Sequence, residues 1–172
     1  SSADGASARY TTQIADFNII FTFRRVGDVH VRFVARCNTG TLNPQDGVVV
    51  GVYGNSLTIT TVAGYTYTQQ ATTPKTWAKA TDYRVRVQAI GGTVQARSWD
   101  PAGAEPATWD VTATTTRVAA GWLGFWAGTD AAAASQVALI DDITLTDAAT
   151  TSSGGGEPSV SDLTAIYNAA KA

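Results

Sequence analysis

Glutamate occurs only twice in these 172 residues, histidine and cysteine once each, and methionine not at all. Each shortage closes off some chemistry. With Cys37 alone, no internal disulfide can form, and the thiol reads as a small buried hydrophobe rather than a nucleophile. A lone His30 at a strand position supports no Ser-His-Asp or Cys-His set and reads as a sheet-surface residue. There is no His/Cys metal spacing and no phosphate-cradling loop, so neither a metal nor a cofactor is expected. Glycoside hydrolysis needs two carboxylates a fixed distance apart. Glu105 and Glu157 are the only glutamates, and Glu157 lies in a Ser/Gly-rich stretch. Asp141 and Asp142 are adjacent, so a strand points them to opposite faces unless a bulge intervenes. The chain is not expected to be an enzyme.

Charge is scarce too. Charged residues make up 15% of the chain and the net charge is -2, which suits neither nucleic acid nor an acidic membrane surface. No stretch is long and apolar enough for a membrane helix, and no basic-then-apolar signal peptide opens the chain. The absence of methionine even at position 1 predicts a processed chain or a piece of something longer. Nine of the twelve basic residues are Arg, which with the abundant alanine indicates GC-rich coding.

What is present is period-two alternation. Phe17, Ile19, Phe21 and Phe23 share one face of a strand. In the next, Val29, Val31, Phe33 and Ala35 face one way, while His30, Arg32 and Arg36 face the other with Val34 among them. "GVVVGVYGNSLTITTV" reads as two strands around a turn at Gly54-Asn55-Ser56. "DYRVRVQAIGGTVQARSW" is the clearest hairpin, turned at Gly91-Gly92. "AGWLGFWAG" is a further strand, its glycines marking close packing or a bend. "QVALIDDITLTD" is the last, with Val137, Leu139, Ile143 and Leu145 on one face. Eight or more short strands predict an all-β, antiparallel two-sheet jelly-roll sandwich over residues 1–148. Residues 149–158 read as a flexible linker. Residues 159–172 switch to helical spacing, with Val160, Leu163, Ile166, Tyr167 and Ala170 on one side. This short helix leads to a further segment or an oligomer contact; the alternative is a frayed tail.

The hairpin carries the candidate site. With Tyr83, Val85 and Val87 inward, Arg84, Arg86 and Gln88 face out; with Val94 and Ala96 inward, Gln95, Arg97 and Trp99 face out. Arg and Gln donate to sugar hydroxyls and carboxylates, and an indole offers a flat apolar face to a pyranose. The alternative is a solvated sheet face whose arginines cover the sheet and pair across strands. "RSWDPAGAEPATWD" then breaks the alternation and reads as a corner between strands closed by a packed Trp109, with Glu105 accepting backbone N–H bonds. Trp77, in "TTPKTWAKATD", and Trp109 are secondary aromatic candidates for a ligand grip. Trp122 and Trp126 share a strand face and read as sheet packing, with a binding cleft as the alternative. Asp46, Asp100 and Asp142 are conceivable calcium donors, but no contiguous motif links them, and they read as solvated turn aspartates.

The order "YRVRVQ", a two-glycine turn, "TVQARSW", a short loop, "EPATW" and a final "LIDDITL", over Asp82 to Asp147, resembles the concanavalin A-like, laminin-G-like jelly-roll modules. These occur in secreted proteins of high-GC bacteria and in minor tail proteins of their phages. The resemblance implies a two-sheet sandwich of about 13 to 16 strands. It extends to residues 10–148 if the strand pattern of the first half is admitted. The family includes lectins, glucanases and structural modules, so the fold alone fixes no activity. Glucanases of this fold carry Glu-x-Asp-x-Glu on one strand, which this chain does not. The expected role is a carbohydrate-binding, lectin-like or adhesion module of a virion, phage-tail or extracellular protein. Its partner would be host cell-surface polysaccharide. The alternatives are a structural module packed on other tail subunits or in a homo-oligomer, and a divergent glycoside hydrolase.

Overall fold

Phe17, Ile19, Phe21 and Phe23 alternate with Asn18, Ile20, Thr22 and Arg24, and only the first set is fully buried. That alternation, repeated from strand to strand, builds two layers. The structure, a computed structural model, describes residues 5–10, 12–38, 46–128, 137–148 and 165–166. Among these run twelve strands. They are β1 (Gly5–Arg9), β2 (Phe17–Val26), β3 (His30–Cys37), β4 (Asp46–Tyr53), β5 (Ser56–Ala63) and β6 (Thr66–Pro74). After them come β7 (Asp82–Ile90), β8 (Thr93–Trp99), β9 (Val111–Thr114), β10 (Trp122–Gly128), β11 (Val137–Asp147) and the two-residue β12 (Ala165–Ile166). One sheet has the order β1-β10-β3-β4-β5-β6, the other β12-β11-β2-β7-β8-β9. Every pairing is antiparallel, and the result is a jelly-roll-like sandwich. Apart from Ala165–Ile166, which pair with β11, the helix expected over 159–172 lies outside the described residues.

The core is an aromatic seam between the layers. Phe33 of β3 meets Phe17 of β2 edge-on at 5.5 Å and Phe125 of β10 at 5.3 Å, and Phe21 meets Phe125 edge-on at 4.8 Å. Edge-to-face packing at these separations adds to the gain from burial. A second aromatic group closes the end of the sandwich. Trp77, expected as an exposed aromatic, is only 1% exposed and packs edge-on against Phe23 and Tyr83, both at 5.1 Å. Its indole N–H donates to the Ser56 carbonyl at 3.1 Å, and its own carbonyl accepts from Nε and Nη2 of buried Arg25. The polar look of "TTPKTWAKATD" hid this, because a connection can be polar along its length and still anchor by one side chain.

Register shifts break the alternation in β6, where Gln70 is the extra residue opposite β5, and, with larger consequences, in β3 and β11. In β3, Val34 opposes Gly124 while Cys37 opposes Trp122, and Arg36 adopts φ +53°. The extra residue swings Arg36 off the outer face where alternation had put it. Its buried guanidinium donates to the Ala15 and Arg117 carbonyls, both at 2.7 Å, and pairs with Asp16 at 3.1 Å. In β11, Asp141 opposes Thr22 while Thr144 opposes Ile20, and Asp142 adopts φ +50°. Ahead of this bulge Ala138 and Ile140 are buried and Leu139 is half-buried, opposite to the expected phase. At the bulge Asp141 and Asp142 are both exposed.

Trp77→Ala is expected to lower the unfolding free energy by about 3–5 kcal/mol, and Trp99→Ala by less than about 1 kcal/mol. Urea titration followed by circular dichroism separates the two; equal losses would place Trp77 outside the core.

Candidate functional site

Each sheet presents one outer face. On the second sheet, register sets Arg84 opposite Trp99, Arg86 opposite Arg97, and Gln88 opposite Gln95. The six expected residues therefore share one face, all of them half-buried. The segment after β8 folds onto that face and engages its donors. Arg86 Nη1 donates to Glu105 Oε1 at 2.6 Å, and Arg97 pairs with the same carboxylate oxygen. Arg97 also lies over the Trp109 ring, 4.3 Å from its centroid, and donates to the Ala107 carbonyl at 3.2 Å. Gln95 donates to Thr112 Oγ1 at 3.1 Å. Asp110 Oδ2 fixes the end of the corner by accepting from Ser98 N–H, Ser98 Oγ and Lys75 Nζ at 2.9–3.1 Å. The corner expected from Pro101, Gly103 and Pro106 is there. Its acid, however, is held by two guanidinium groups rather than by backbone N–H groups.

The outer face of the first sheet is different. Inward Phe33 obliges its neighbour Arg32 to face out, and register places Arg32 between Trp126 of β10 and Gly51 of β4. The Arg32 guanidinium carbon lies 4.3 Å from the Trp126 ring centroid, 5.4 Å from that of Tyr53 and 5.9 Å from that of Tyr67. Rings at such distances stabilise a cation through their quadrupoles. Gly51 makes room for this: a β-carbon there would overlap the Tyr53 ring. His30 meets Tyr53 edge-on at 5.2 Å. Beside Arg32, a depression of about 400 Å³ opens between Tyr53 and Tyr67, with Ser56, Thr58, Thr60 and Gln69 along it. Burial raises the Tyr67 hydroxyl pKa while nearby Arg32 acts to lower it, and burial prevails.

Next to the depression the surface is apolar. Val34, Val49, Val62 and Cys37 are buried beneath Trp122 and Trp126, and Arg9 lies over Trp122 at 4.4 Å. The two tryptophans cover an apolar patch, and Trp126 also stands against Arg32.

The sequence marks Arg32 and Trp126 as outward residues but not that they adjoin. Tyr53 and Tyr67 are not legible at all. Tyr53 ends an apolar run without alternation, where Gly51 was the only signal of a close approach. Tyr67 lies on β6, an edge strand that is exposed over most of its length and so carries no apolar period. Of the three conceivable calcium donors, Asp46 pairs with Arg117 at 2.6 Å and Asp100 accepts from Ala102 N–H at 2.8 Å. Asp142 accepts from Thr22 Oγ1 at 3.3 Å. They sit on β4, after β8 and on β11.

No family model matches this chain, and no curated protein matches it in sequence. Solved structures do match in fold. A carbohydrate binding module, CBM66, from Bacillus subtilis superposes with a TM-score of 0.68 at 11% identity, over 84% of this chain and 83% of that one. The VIP36 exoplasmic/lumenal domain, in a form bound to Ca2+ and Man3GlcNAc, gives 0.58 at 12% identity, over 84% and 74%. Sheep galectin-11, in complex with glycerol, gives 0.53 at 7% identity, over 83% and 96%. At such identities the likeness is one of fold.

Burial pushes the Cys37 thiol up to about 12 and the Tyr10 hydroxyl to about 12. A raised folded-state pKa stabilises the fold below the unfolded-state value, and that contribution is lost as pH rises toward the folded-state value. Stability is therefore expected to fall from about pH 9 towards about pH 12. Cys37→Ala should flatten the first part of this fall in urea titrations repeated across pH, and an unchanged profile would contradict the burial of Cys37.

Proposed function

We propose that this chain is a non-catalytic carbohydrate-binding module whose binding face is the outer surface of the first sheet. The observation that carries the reading is Arg32, held among Trp126, Tyr53 and Tyr67 beside an open depression. Sugars have apolar faces and hydroxyl rims. Indole and phenol rings suit the faces, and guanidinium, amide and hydroxyl groups suit the rims. The depression supplies both kinds within a volume typical of small-ligand sites, roughly 300–1,000 Å³. The fold supports the same reading, because solved structures that share it carry carbohydrate-binding module, galectin and Man3GlcNAc-bound in their descriptions. A glycosidase would require paired carboxylates, and the described residues along the depression bring none.

This moves the site from the face of Arg84, Arg86, Gln88, Gln95, Arg97 and Trp99. There Glu105 engages two of the three arginines, so a ligand would have to displace a carboxylate already in place. The setting we propose is a secreted or virion protein, a phage tail component among them, that touches polysaccharide on a host cell.

The test is titration of the protein against purified cell-wall polysaccharides and intact high-GC bacterial cells. Saturable binding is expected. Trp126→Ala and Arg32→Ala should each weaken it about 10-fold or more, or about 1.4 kcal/mol. Arg84→Ala and Trp99→Ala should leave it within about twofold. Loss with Trp99→Ala and not with Trp126→Ala would return the site to the second sheet. Binding to none of the samples would favour a structural module.

A further inference from the structure

Most arginines in this fold have an acceptor. Arg24 is paired with Asp82, Arg36 with Asp16, Arg117 with Asp46, and Arg86 and Arg97 share Glu105. Arg25 donates to the Trp77 carbonyl. Arg32 is unlike them. Among the described residues it has no carboxylate partner and no hydrogen bond leaves its guanidinium; its Nε is buried without an acceptor, as are those of Arg86 and Arg97. Three rings face its charge, yet rings cannot satisfy its N–H groups. A guanidinium carries its five N–H donors in its own plane, whereas a ring stacks on its flat side. The rings therefore stabilise the cation and leave its hydrogen-bonding edge unanswered. The Nη groups are not among the buried unsatisfied atoms, so an acceptor arriving from the depression can answer that edge.

The surroundings select the acceptor. The depression beside Arg32 offers neutral hydroxyl and amide groups from Ser56, Thr58, Thr60 and Gln69, and among the described residues no acidic side chain lines it. Among the described residues that line it, Arg32 alone is charged. Hydroxyls of a neutral sugar would give Arg32 weak, single contacts. A carboxylate gives two parallel charge-assisted bonds to a planar fork, the stronger and more directional arrangement. We propose that the ligand of this face is an acidic saccharide, whose carboxylate docks on Arg32 while its ring lies among Trp126, Tyr53 and Tyr67. This rests on the carbohydrate-binding reading above and narrows it to a class of ligand.

The test uses the full chain in calorimetric titrations against matched pairs: oligogalacturonate, oligoalginate, oligohyaluronan and sialyllactose, each beside its carboxyl-reduced, neutral counterpart. At least one acidic member is expected to bind 10-fold or more tightly than its neutral partner. The advantage should shrink as salt is raised. Arg32→Gln should abolish the preference, while Arg32→Lys, which keeps the charge but not the fork, should retain only part of it. Circular dichroism melting of the variants confirms that the fold is kept. If the neutral members bind as tightly as the acidic ones, and both lose affinity with Trp126→Ala, the acidic preference is overturned and the carbohydrate-binding reading stands. If no acidic or neutral saccharide binds, here or in the polysaccharide panel, both are overturned. If an acidic preference survives Arg32→Gln, the assignment to Arg32 is overturned.

Discussion

Phe33 is the contact on which the rest depends. It reaches across the sandwich to Phe17 and along its own sheet to Phe125, and it is buried. Once it points inward, the period of two in a strand settles the facing of Arg32 and Val34. A slip of one residue would bury Arg32 among phenylalanines and push Phe33 into water. The cost of both together, a charge without a partner and an aromatic ring exposed, makes that slip unsustainable. The outward face of β3 is thus a consequence of core packing, and so is the position of Arg32.

The bulges show how far this logic runs before it is overridden. Alternation alone would set Arg36 beside Arg32 on the outer face. The extra residue in β3 sends Arg36 instead to two backbone carbonyls and Asp16, where it ties the approach to β2 to the approach to β10. The same bulge returns Cys37 to the outer side, where it joins Val34, Val49 and Val62 in the patch that carries Trp122 and Trp126. In β11 a further bulge reverses the phase of the strand, which is why Leu139 rather than Ile140 is the half-exposed residue.

The two outer faces share a vocabulary of arginine and aromatic side chains but differ in what is left over. On the second sheet the Glu105 corner closes back on Arg86 and Arg97, and Trp109 stacks on Arg97. That network pairs both guanidinium charges internally, although the Nε atoms of Arg86 and Arg97 stay buried without acceptors. On the first sheet the aromatic rings come without a carboxylate among the described residues, and the depression beside them is lined by small polar groups. Electrostatic pairing, not residue type, separates the two.

The sequence by itself determined the layers. The alternation of Phe17–Phe23, the Gly54-Asn55 and Gly91-Gly92 turns, and the "DYRVRVQ" hairpin all follow from local preferences that neighbours in the chain express directly. It also determined which hairpin residues face outward, because inward and outward positions differ in polarity there. The candidate site emerges only from the tertiary structure. Tyr53 sits in an apolar run with no period, and Tyr67 on an exposed edge strand, so neither carries a pattern to read. Trp126, Arg32, Tyr53 and Tyr67 are far apart in sequence and meet only because β10, β3, β4, β5 and β6 pair in that order. Glu105 was legible as a loop acid, but its partners were not, because a carboxylate pairs with whatever cation the folded chain brings within reach.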